Sequence, residues 1–93
     1  PLTLRVLNAS ENRFQTVIFT DQQRYTSNLG ELILQSNQIE QFNLDTIVLP
    51  QSLEKISLAN NRLAILDARL FAHLTRLTEI DLRNNRLKRV LPE

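Results

Sequence analysis

The 93-residue chain, 42% of it apolar, makes one domain with a modest core, and no apolar run is long enough to span a bilayer. A net charge of +1 gives no reason to expect nucleic acid or an acidic membrane surface as a partner. Cysteine is absent and His73 is the only histidine, so a zinc site and a Cys-His dyad are excluded and a Ser-His-Asp triad has little support.

The first element begins at Leu4. Leu7 and Ala9 fill apolar slots, Asn12 a polar slot and Phe14 a last apolar one. Val17, Ile18 and Phe19 follow, then a polar run to Arg24, with Tyr25 in an apolar slot. This return is the least regular. The second element starts 25 residues after Leu4, as Leu29-Gly-Glu-Leu32-Ile-Leu34-Gln-Ser-Asn37-Gln-Ile39. Pro50 disfavours helix at Leu49, so its return is expected to be extended or a short turn, with Ile47 in an apolar slot. The third, Leu53-Glu-Lys-Ile56-Ser-Leu58-Ala-Asn-Asn61-Arg-Leu63, begins 24 residues later. Leu66, Phe71 and Leu74 continue it. Residues 67–75 read as a short helical return, with Asp67 as N-cap and Leu70, Phe71 and Leu74 inward at helical spacing. The fourth, Leu77-Thr-Glu-Ile80-Asp-Leu82-Arg-Asn-Asn85-Arg-Leu87, follows after another 24.

Four near-copies at nearly constant spacing mark a stacked-repeat protein. The alternating core of each copy reads as a short strand with Leu or Ile inward. A long return joins each strand to the next, so the strands must run parallel. No copy can bury its apolar face alone; stacking builds one continuous core. The asparagine sits where the chain turns off the strand. Its amide both donates and accepts, so Asn12, Asn37, Asn61 and Asn85 are expected to form a buried ladder bonded to turn backbone.

These residues resemble the leucine-rich repeat family, and the slots at Leu66, Phe71 and Leu74 resemble its "typical" 24-residue class. That class is found mostly in extracellular animal proteins, such as Toll-like receptors, insect immune proteins and adhesion proteins. The resemblance implies an α/β solenoid, with a parallel β-sheet on the concave side and short helical or irregular returns on the convex side. It covers residues 1–93 as a single array of about four repeats, starting near 4, 29, 53 and 77. The last repeat follows the pattern well and stops mid-return, so the chain is expected to be a piece of a longer array. The missing cysteine-bonded caps of extracellular arrays would then lie elsewhere.

The resemblance places the strand residues between the leucine slots on the concave face. The candidate protein-binding set is Glu31, Ile33, Gln35, Lys55, Ser57, Arg62, Glu79, Asp81, Arg83 and Arg86. Acidic groups gather at one edge of the strands and arginines at the other, which suits a protein partner of mixed charge. Glu79 and Asp81 face the same way, but open strands supply no dry pocket for catalysis. The run from Arg83 to Arg89 resembles a basic patch, yet the repeat slots interrupt it and no aromatic is interleaved for base stacking. Asn8-Ala9-Ser10 is the only glycosylation sequon, on the concave side.

The expected function is therefore non-enzymatic, without cofactor or metal. It is protein recognition by a segment of an extracellular receptor or of a secreted immune or adhesion glycoprotein, with another protein as partner and no membrane contact from this segment. The alternative is an intracellular scaffold or regulatory subunit in the cytoplasm. Partner identity and oligomeric state are open.

Overall fold

A computed structural model describes residues 4–19 and 26–92. The expected irregular stretch from Thr20 to Tyr25 lies outside the described residues. Strands β1 (Val6–Asn8), β2 (Glu31–Ile33) and β3 (Lys55–Ser57) come from the first three repeats. The third return holds β4 (Ile65–Asp67), and the fourth repeat holds β5 (Glu79–Asp81) and β6 (Arg89–Leu91). The main sheet is parallel, in the order β1-β2-β3-β5.

The register follows the repeat. Leu7, Leu32, Ile56 and Ile80 stand in one row across the sheet. Leu32 and Ile56 are fully enclosed, whereas Leu7 is half-buried and Ile80 exposed. The outer two have a described repeat on one side only, so half of their burial is missing. The ladder continues past the strands: Leu34 N–H donates to Ser57 O at 2.9 Å and Leu58 N–H to Asp81 O at 2.8 Å. Leu29, Leu53, Leu58 and Leu63 complete the middle of the core.

The turn off each strand is closed by asparagine. Asn61 Nδ2 donates to the carbonyls of Leu34 and Leu58, both at 3.0 Å, and its Oδ1 accepts from Ile39 N–H at 3.0 Å. The side chain thus joins its own turn to the preceding repeat. Asn37 bridges in the same way to Ala9 O and to the N–H groups of Asn12 and Phe14. Asn85 reaches Leu58 O and Leu63 N–H. The expectation of a wholly buried ladder needs correction at both ends. Asn37 and Asn61 are buried, Asn85 is half-buried and Asn12 is exposed. No described repeat precedes Asn12, so among the described residues its side-chain amide donates only to Ala9 O and Ser10 O in its own turn.

One residue before each asparagine the backbone turns left-handed. Glu11, Ser36, Asn60 and Asn84 have φ of 58°, 58°, 58° and 59°. Only two of these residues belong to a type that visits this region readily, so the sequence carries an incomplete signal for it.

The returns differ from one another. After Phe42 the second return runs through a turn at 44–46, and Ile47, Leu49 and Pro50 are buried. The third return holds the only helix among the described residues, a single 3₁₀ turn at Ala68–Leu70. Asp67 is its N-cap and accepts from Arg69 N–H at 3.0 Å. Leu66, Leu70 and Leu74 are buried, and Phe71 is half-buried against the core. The sequence reading missed the second sheet, in which β4 and β6 pair in parallel. Isolated bridges Thr16–Gln41 and Phe19–Ile47 mark the same flank in the first two repeats.

Candidate functional site

The concave face is built by the strands themselves. Because β2 and β3 alternate, burying Leu32 and Ile56 forces Glu31, Ile33, Lys55 and Ser57 to the open side. These four line a shallow hollow of about 270 Å³ with Asn8, Gln35, Glu79 and Asp81. Its charges are mixed: Lys55 stands in register between Glu31 and Glu79, and Asp81 stands beside Ser57. Ser57 Oγ donates to Gln35 Oε1 at 3.1 Å, tying two adjacent repeats across the surface. Ile33 is half-buried and supplies the apolar part of the floor.

Asp81 and Arg83 form a two-pronged pair. Arg83 Nε and Nη2 donate to the carboxylate at 2.9 and 2.8 Å, and Arg83 N–H adds a third bond at 3.1 Å. The Arg83 side-chain hydrogen bonds hold the Asp81 carboxyl below the usual carboxylate range, and the same contacts raise the arginine. Arg83 is therefore a local clamp on Asp81, and the pair reaches a partner as one nearly neutral unit.

The structure does not gather all the candidate residues in one place. Arg62 and Arg86 line a separate groove of about 650 Å³ on the strand-exit flank, with Glu40, Ala64, Ile65, Asp67, Lys88 and Leu91 in its walls. This groove lies where the flanking sheet is interrupted. Lys88 N–H donates to Ala64 O at 2.8 Å and Glu40 N–H to Gln15 O at 3.1 Å, while among the described residues β4 pairs with β6 alone. Sequence reasoning missed the groove because its walls come from returns of unequal shape. The one available signal was the column of basic residues Arg62, Arg86 and Lys88 just after the asparagines.

On the convex side Arg69 forks onto Asp67 at 3.0 and 2.8 Å. This side-chain bonding lowers the Asp67 carboxyl against the opposing effect of burial. His73 is exposed, and its Nε2 lies 2.8 Å from Leu49 O. Among the described residues no group of three or more His, Asp or Glu is placed to hold a metal ion.

A leucine-rich repeat family model matches residues 27–87. No curated protein and no solved structure matches the chain.

Proposed function

The chain belongs to the leucine-rich repeat family, whose arrays are generally protein-interaction modules, and from that premise we propose that the concave hollow is the partner-binding face of an extracellular recognition protein. The parent is a receptor ectodomain or a secreted protein of the immune or adhesion kind. The observation that carries the binding face is the gathering of Glu31, Ile33, Gln35, Lys55, Ser57, Glu79 and Asp81 in one open hollow spanning three strands. Their charges set the orientation and rate of encounter, and the half-buried Ile33 gives a small apolar contact. The reading of the parent as extracellular is supported by the resemblance to the 24-residue class.

Binding kinetics test the face. Glu79→Lys and Lys55→Glu alter exposed side chains outside the salt bridges found among the described residues. Each is expected to slow association about tenfold with the partner that co-purifies with the full-length protein. Each should also change the salt dependence and leave the melting temperature in place. Arg76→Glu, on the convex side, is the control and should bind normally. Normal binding by both strand variants, with loss on reversing Arg62 or Arg86, would move the interface to the flanking groove. Surface labelling of intact cells and assay of the medium test the location; a protein confined to the cytosol overturns that half of the reading.

A further inference from the structure

We propose that Asn8 is an N-glycan attachment site, and that its glycan confines the protein partner to the hollow's β2, β3 and β5 side. The inference rests on the extracellular reading above and adds a covalent modification to it. Asn8-Ala9-Ser10 is the chain's only sequon, and Asn8 is exposed on β1. Its side chain is already arranged for the reaction. Asn8 Oδ1 accepts from Ser10 N–H at 3.0 Å and from Ser10 Oγ–H at 2.6 Å. Both bonds polarise the amide carbonyl and leave Nδ2, the nitrogen that would be modified, without a partner among the described residues. A hydroxyl two residues on is what the sequon demands, and here it is bonded to the amide it would assist.

The repeat itself produces this turn. At the equivalent place in the fourth repeat, Arg83 N–H donates to Asp81 Oδ1 at 3.1 Å. A side-chain oxygen at the last strand residue therefore accepts from the backbone two residues later wherever Asn or Asp stands there. The second and third repeats carry Ile33 and Ser57 at that place, and neither begins a sequon. The turn spans three residues, so it can form before the repeats stack. The reaction joins Nδ2 to the anomeric carbon of an oligosaccharide carried on a polyprenyl pyrophosphate. Nδ2 gives up one proton, and the pyrophosphate leaves with the bonding electron pair.

The folded array has room for the product. Asn8 stands in register with Ile33, at the β1 margin of the hollow, and its side chain belongs to no core cluster. A glycan there covers β1 and leaves Lys55, Ser57, Glu79 and Asp81 open.

The test is peptide mapping of the full-length protein, secreted from eukaryotic cells behind a supplied leader. Trypsin releases Val6–Arg13, which contains Asn8. Peptide-N-glycosidase converts a glycosylated asparagine to aspartate, which marks the site in the mass spectrum. The expected result is most of this peptide carrying the mark, complete loss of it in Ser10→Ala, and its retention in Ser10→Thr. Arg76→Asn creates a control sequon with Leu77 and Thr78 on the convex side. An unmarked Asn8 in the secreted wild type, with the Arg76→Asn site marked in its own variant, overturns the proposal. Because the leader is supplied, that failure leaves the native location to its own assay. For the confinement, glycosidase-treated and untreated protein should show the same loss on Glu79→Lys; partner binding that appears only after glycan removal overturns it.

Discussion

The second and third returns close the same core by different means. The second, from Glu40 to Ser52, has no helix and puts Phe42, Ile47, Leu49 and Pro50 into the interior. The third, from Ala64 to Arg76, uses β4 and a capped 3₁₀ turn to bury Leu66, Leu70 and Leu74. The strands beside them, β2 and β3, pair residue for residue in parallel. Sheet hydrogen bonds fix the concave side to one geometry, whereas the convex side has only to fill volume. Any apolar set of about the right size therefore closes a return, and the mismatch between neighbouring returns leaves the flanking groove open.

Truncating each return's aromatic residue separates the two solutions most sharply. Phe42 is 1% exposed, and Phe42→Ala is expected to cost roughly 3–5 kcal/mol. Phe71, half-buried, should cost about 1–2 kcal/mol on the same change. Urea midpoints measure both. Equal losses would mean that the third return packs as tightly as the second.

The asparagines carry the comparison from the middle to the end of the array. Asn61→Ala strands buried backbone groups of two repeats and should cost on the order of 1–3 kcal/mol. Asn12→Ala removes bonds from an exposed turn and should cost about 0.5 kcal/mol. A loss at Asn12 as large as that at Asn61 would show that local turn closure, not linkage between repeats, is what the amide provides.

The left-handed residues give a smaller effect. Asn60→Ala puts an alanine at φ 58° and should cost about 1 kcal/mol. Glu11→Asn introduces a residue that tolerates the same geometry and should raise stability by about 0.5 kcal/mol. Chemical denaturation reads both, and opposite signs are the expected outcome.

Acid addresses the third return through Asp67, as it does the fourth repeat through Asp81. The Asp67 carboxyl is depressed in the fold, chiefly by its side-chain bonds to Arg69. Its stabilisation is complete above the unfolded carboxylate range and is lost as pH falls through the lower folded value. Wild type should lose stability through this acid window more steeply than Asp67→Asn. Identical melting curves against pH would show that the cap contributes nothing through its charge. Arg69 belongs to this pair, so it is unsuited as a neutral surface control.

Period and slot were legible in the chain because each has a single physical cause. Alternation across a strand decides which of Glu31, Leu32 and Ile33 is buried, and the 24-residue spacing stacks those strands in register. The Asp67 cap and the effect of Pro50 were readable for the same reason, since both act within a few residues. The burial gradient along the asparagine row, the β4–β6 sheet and the separation of Arg62 and Arg86 from the concave hollow were not. Each depends on what neighbouring repeats place against a residue. Two asparagines with one local sequence role, Asn12 and Asn61, differ in burial because only one has a described repeat on both sides. Local sequence determined the repeat, and contact between repeats decided which residues became core, surface or groove.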